Sequence, residues 1–142
     1  MAGNYDYILA KYEDYGGMPL TTHLKSVADV AVVIARYAGL DEDLARKGAI
    51  LHDIGKVSPL FQRTLKHGYI HQPGFVFRHE IASLLFISLF PEEERPVLID
   101  MVVAHHKSIY HDVSEKGILD LDGDMNSFAR HADKFEEWSP VA

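Results

Sequence analysis

Ile50-Leu51-His52-Asp53-Ile54-Gly55-Lys56 is the stretch from which the rest of the chain can be read. A histidine and an aspartate stand side by side among apolar residues, and a lysine follows three residues after the aspartate. Neighbouring residues on a helix point about 100° apart, so His52 and Asp53 can address one point from adjacent positions. Lys56 shares their side if the helix continues that far, and Gly55 is where the exit can begin. Asp41 is placed to cap this helix, which the pattern predicts over 42–55, with Leu44, Ala45, Gly48, Ala49 and His52 on or near one face.

Working outward, the preceding segment predicts a helix over 21–38. Leu24, Val27, Ala28, Ala31, Ile34, Ala35 and Ala38 recur at three- and four-residue steps, as one buried stripe requires. Thr21 or Thr22 can cap its start, and Gly39 ends it. His23 lies in its first turn near the line of Val27 and Ala31, so it points inward or to the core's edge. Before this helix, residues 4–20 read as a short helical or irregular lead-in packed by its aromatics, turning at Gly16-Gly17.

Downstream, Ser58-Pro59 opens a short helix to Leu65. A loop follows over 67–77, with His67 and His71 exposed in it. A helix over 78–90 carries Ile81, Leu84, Leu85, Ser88 and Leu89 in periodic order, opens on His79-Glu80 and stops at Pro91. Another spans 92–106, with Pro96 near its first turn, Val97, Leu98, Met101, Val102 and Ala104 buried, and His105-His106 at its end. Burying two adjacent imidazoles demands a partner for every ring nitrogen, so this pair is rarely a packing choice. Residues 108–123 read as an acidic loop, and 124–138 as a last helix with Phe128, Ala132, Phe135 and Trp138. No segment alternates as a strand does, so the fold class is all-α.

Size and composition bound the function. The 142 residues suit one domain over 1–142 with a real core. No apolar run is long enough to span a bilayer, and no secretory signal opens the chain, so no membrane role and a cytoplasmic location are expected. There is no cysteine, which excludes disulfides and thiolate metal sites. The formal charge of −7 argues against a general electrostatic grip on nucleic acid, though bound cations would change the local sign. Nine histidines are the oddity.

A lone inward histidine is usually a satisfied core residue. Here the inventory is His23, His52-Asp53, His79 and His105-His106, each in a helix or near a helix end. Neutral imidazole and carboxylate are good ligands for divalent transition metals. Six groups are too many for one closed tetrahedral site. They suit two ions sharing Asp53, an arrangement fitted to in-line displacement at phosphorus. Lys56 would donate to the phosphate or the developing charge.

Thr22-His23-Leu24 followed by His52-Asp53-Ile54-Gly55-Lys56 resembles the HD superfamily of metal-dependent phosphohydrolases. More narrowly, Ile8-Leu9-Ala10-Lys11, the run from Gly55-Lys56 to Phe61-Gln62, the Phe77-Arg78-His79-Glu80 turn with Ser83, and Ala104-His105-His106 look like the HD nuclease domain of CRISPR type I systems. That resemblance implies an all-helical HD bundle and metal-dependent cleavage of single-stranded DNA. It also implies a superfamily 2 helicase, fused or in trans, and a guide-RNA surveillance complex as partners. Carried over, one metal takes His23, His52 and Asp53. The other shares Asp53 and takes His79, His105 and His106. Mn, Ni, Co or Fe are expected before Zn, with Mg also admitted; Asp53 and Lys56 are the catalytic candidates. The family also uses a later aspartate, which stays open between Asp133 and a residue beyond Ala142; the stop after Pro140 suggests a chain cut from a longer one. Two other readings stand beside the nuclease: a phosphohydrolase of a small or cyclic nucleotide, and a non-catalytic docking module.

Overall fold

The computed structural model describes residues 6–12, 16–70, 77–105 and 131–141. All its regular elements are helical, and the described residues hold one isolated antiparallel bridge, Leu9 with Pro19, instead of strands. The expected all-α class is what the chain adopts.

Helix α1 spans Leu20–Ala38. It starts at Leu20, ahead of both threonines, with Pro19 at the N-cap position and no side-chain cap, so the expected Thr21 or Thr22 cap does not form. Its end is as expected: Gly39 sits at φ 68°, where a side chain would be strained. The buried stripe is Leu20, Ala28, Val32 and Ala35, with Leu24 packed against the core. Ile34 and Ala38, expected inside, are exposed, Ile34 by 60%. The stripe is narrower than the sequence suggested because, among the described residues, α1 packs chiefly on one neighbour, α2.

Helix α2, Glu42–Ile54, begins as its sequence demands. Asp41 accepts hydrogen bonds from the Asp43 and Leu44 amides, both at 2.9 Å. It ends at Gly55 and tightens into a 3₁₀ turn, Gly55–Val57. Ser58 then caps α3, Pro59–Thr64, by accepting from the Leu60 amide, with Pro59 in the first turn.

The helix expected over 78–90 is instead α4, His79–Ser83, continued by a 3₁₀ stretch, Leu84–Leu89. The change falls at Ser83, whose hydroxyl bonds back to the His79 carbonyl at 2.9 Å, a contact that perturbs the helical ladder. The tighter period leaves Ser88 and Leu89, read as part of the periodic order, exposed. Helix α5, Arg95–Ala104, starts three residues later than expected, because Pro91 to Arg95 form turns of their own. Leu98, Val102 and Val103 are buried, while Val97 and Ala104 face outward, contrary to expectation. Helix α6, Phe135–Trp138, is what the structure shows of the last helix; Lys134 at φ 55° precedes it. The expected loop over 108–123, residues 124–130 of the last helix, and His71 and His106 lie outside the described residues. His67 is exposed, as read from the sequence.

The core joins all these pieces. Leu51 of α2 and Leu98 and Val102 of α5 are at most 1% exposed. Each such side chain contributes about 1.5–3 kcal/mol on burial. α5 crosses α2 at Gly48, where a Cβ would strike the Met101 side chain. Phe86, Phe135 and Trp138 form an edge-to-face trio that holds α6 on the body. In the lead-in, Ile8 and Ala10 do the packing, while Tyr7 and Tyr12 are exposed; the aromatics were expected to do this work. Gln62 clamps the lead-in to α3, donating to the Leu9 carbonyl at 2.8 Å and accepting from the Leu9 amide at 3.0 Å.

Candidate metal centre

The site is built around the last turn of α2. Asp53 is 3% exposed, so its carboxylate must be compensated by its surroundings. Five side chains converge on it. On Oδ2, Lys56 Nζ lies at 2.7 Å, His23 Nε2 at 2.8 Å and His52 Nε2 at 3.2 Å. On Oδ1, His79 Nε2 lies at 2.9 Å and His105 Nε2 at 3.6 Å. The two oxygens therefore address two different sets of imidazoles. Two groups of potential ligand atoms result, each within 4.8 Å of one another: His23, His52 and Asp53, and Asp53, His79 and His105.

Local structure explains how each arrives. His23 comes from the first turn of α1, which packs on α2. His52 and Asp53 are neighbours on α2. The 3₁₀ turn after Gly55 brings the Lys56 side chain back over the end of that helix. His79 opens α4, and His105 follows the last residue of α5. α4 comes close because position 55 is glycine: a Cβ there would collide with the backbone of His79, Ala82 and Ser83. His106 lies outside the described residues.

Electrostatics follow from this packing. Burial alone would push the Asp53 carboxyl up. The facing imidazoles of His105, His52 and His79 and the Lys56 ammonium outweigh it and hold the group far below the usual carboxylate range. Burial pulls the His23 imidazole below its ordinary value, more than the Asp53 carboxylate raises it. Burial also opposes the charged form of His105, but Asp53 and the Val102 carbonyl prevail and raise it.

The donor set fits a divalent cation. The Nδ1 atoms of His52 and His105 each hydrogen-bond a backbone carbonyl three residues back, Ala49 and Val102 respectively. Nδ1 then carries a proton, so in the neutral, metal-binding form of each ring the lone pair is on Nε2, facing the Asp53 carboxylate. With those rings neutral, the lone pairs face an anion, and a cation between them satisfies both; in its absence protons on Nε2 take that place. Asp53 Oδ1, buried, also finds no well-formed hydrogen bond among the described residues despite two imidazoles facing it. The cluster is thus compatible with divalent metal binding.

Sequence reasoning placed Asp133 as one candidate for a further ligand. The structure puts it elsewhere: it is exposed and lines a shallow groove with Ser58, Leu60, Arg63 and Lys134. Three residues of structural weight were missed as functional. Glu80, noted only at the helix start and in the resemblance, is buried and accepts from Arg78 Nε at 2.6 Å. Ser83, noted only for resemblance, bonds the end of α2. His131 is fully buried and bonds the start of α4. The resemblance that singled out Arg78-His79-Glu80 and Ser83 was the signal for two of them; His131 had none.

The fold and the cluster define a class. The HD domain family matches residues 20–137, and the chain belongs to it, among the HD superfamily hydrolases. Among curated relatives, it is similar to ribonuclease Y of Fusobacterium nucleatum, 31% identical over 105 residues that cover 74% of this chain and 18% of that one. Ribonuclease Y of Chlorobium phaeobacteroides is 32% identical over 111 residues, covering 78% and 18%. Ribonuclease Y of Campylobacter jejuni is 34% identical over 96 residues, covering 68% and 16%. The chain spans less than a fifth of the length of these relatives. No solved structure matches it.

Proposed function

We infer that this chain is a metal-dependent phosphodiesterase whose substrate is RNA. The observation that carries the reading is the division of imidazoles between the two oxygens of Asp53, which offers two ions one shared carboxylate. His23 and His52 would hold one ion with Asp53, and His79 and His105 the other. When bound, such ions lower the pKa of a water and neutralise charge on a phosphoryl group.

The chain's own residues do the rest. Asp53 fixes the spacing of the two halves. The Ala49 and Val102 carbonyls hold His52 and His105 in the tautomer that presents Nε2. Lys56 is fixed by Asp53 and lies 5.6 Å from the Phe61 ring centroid, so its ammonium has a defined place beside an incoming phosphate. Two features favour a polymer of phosphodiesters over a small nucleotide. Every one of the 21 acidic residues lies outside 54–79, a stretch that carries Lys56, Arg63, Lys66 and Arg78. The relatives are also named as ribonucleases, and this favours RNA over DNA.

A second reading, cleavage of single-stranded DNA beside a helicase and a guide-RNA complex, is supported by the order of the motifs His23, His52-Asp53, Lys56, His79 and His105-His106. One assay separates them. End-labelled RNA and DNA of one sequence, a mononucleotide and a cyclic nucleotide are each incubated with the Mn-loaded protein. Metal-dependent RNA cleavage that is lost in Asp53→Ala is expected. Cleavage of DNA alone would favour the second reading. Turnover of mononucleotides alone would make the chain a small-nucleotide phosphohydrolase, and metal binding without turnover would leave a docking module.

A further inference from the structure

We propose that His131 is a positioning residue for the second half of the metal centre, holding His79 in place through the backbone of Arg78. This rests on the metal-centre reading above. His131 is fully buried, on the segment leading into α6, and far from the cluster in sequence. Its Nε2 accepts the Arg78 N–H at 3.1 Å, a bond across 53 residues. Its ring packs against Phe77, with centroids 5.2 Å apart.

Arg78 is the N-cap residue of α4 and has no side-chain cap to steady it. It is held at three other points. Its carbonyl accepts from the Ile81 and Ala82 amides at 3.1 and 3.2 Å. Its guanidinium donates to buried Glu80 at 2.6 Å. Its amide donates to His131. The next residue is His79, whose Nε2 stands 2.9 Å from Asp53 Oδ1. A shift at the Arg78 amide is therefore passed directly to a ligand that a metal on Oδ1 would use. The role requires His131 to be neutral with its proton on Nδ1, since only an unprotonated Nε2 accepts. The segment after residue 130 thus serves the site through His131 and not through Asp133.

The test compares His131→Gln, whose amide oxygen can accept the same bond, with His131→Leu, which fills similar space and cannot. Binding of Mn to each, and to the wild type, is followed by calorimetry alongside thermal unfolding. Wild type is expected to bind two ions. H131L is expected to lose roughly 10- to 100-fold in affinity for one ion only, the range typical when a residue that orients a ligand is removed. H131Q is expected to restore that affinity even if it unfolds at the H131L midpoint. Equal affinity in all three proteins, or equal loss in both variants, would overturn the proposal while leaving the metal centre intact. A wild type that binds no metal would instead defeat the metal-centre reading and this role with it. If H131L fails to fold, ¹⁵N spectra of the wild-type histidines decide: a protonated Nε2 at His131 overturns the proposal, and a bare Nε2 coupled to the Arg78 amide supports it.

Discussion

The Gly55 amide donates to the Ser83 hydroxyl at 2.9 Å, and this bond fastens α4 to the end of α2. The same hydroxyl faces the carbonyls of His52 and His79 at 3.1 and 2.9 Å, so Ser83 touches the backbone of one histidine from each half of the cluster. Ser83 is fully buried, and water cannot replace it. Ser83→Ala strands a buried amide, and a loss of roughly 1–3 kcal/mol in denaturant-unfolding stability is expected. Metal affinity should fall at the same time. An S83A protein as stable as wild type would show that the bond carries no weight.

Gly55 is required for a steric reason, since its φ of −59° is open to any residue. A methyl group would drive into the α4 backbone, which cannot rotate away as a side chain can. Gly55→Ala is expected to destabilise by about 1–3 kcal/mol or more, the usual range for overpacking. Gly48→Ala should cost less, because the Met101 side chain it meets is flexible. Thermal unfolding of the two variants side by side checks the order.

Asp53 sets the acid limb of stability in the metal-free protein. Its folded carboxyl is held far below the ordinary value, so below the unfolded pKa of about 4 the unfolded chain binds a proton that the native one does not. Its contribution is full above that pH and declines as the pH falls. Asp53→Asn removes this dependence. Urea midpoints measured between pH 5 and 2.5 should fall less steeply for D53N; parallel curves would contradict the electrostatic account.

Metal binding should itself be pH-dependent, because protons compete with the metal for the imidazoles. Imidazoles coordinate only when neutral, and an ordinary histidine titrates near pH 6.5. Mn affinity is therefore expected to weaken progressively from pH 8 to pH 5.5, with protons released on binding. At a free metal concentration 100 times Kd, the ion should add about 2.7 kcal/mol of stability, reversed by a chelator. A Tm indifferent to both Mn and chelator would argue against a metal centre here.

Lys56 occupies the same carboxylate oxygen as His23 and His52, at 2.7 Å. Lys56→Met keeps much of the stem against Phe61 and removes the charge. If Lys56 meets the phosphate, K56M should lower kcat on RNA while two ions still bind. Unchanged kcat would reduce Lys56 to a counterion of Asp53.

Much of this was legible in the order of residues. Asp41, Gly39 and Ser58 act at helix ends as their chemistry requires. The 100° step of a helix put His52 beside Asp53, and the three-residue spacing kept Lys56 within reach. Local rules run out where a residue's neighbour is distant in the chain. Nothing near Ile34 or Val97 says that it will stay exposed. The back-bond of Ser83 to the His79 carbonyl is local, but nothing near Ser83 announces that its hydroxyl also takes the Gly55 amide 28 residues away.

The sequence by itself determined which side chains could bind a metal, since donor chemistry belongs to residue type and helical spacing is fixed by backbone geometry. Tertiary structure alone decided which oxygen of Asp53 each imidazole faces, that Asp133 stands apart, and that His131 reaches the start of α4. Those outcomes depend on how α1, α4, α5 and the C-terminal segment pack against α2. Packing is settled by shape and burial across the whole core, which no short stretch encodes.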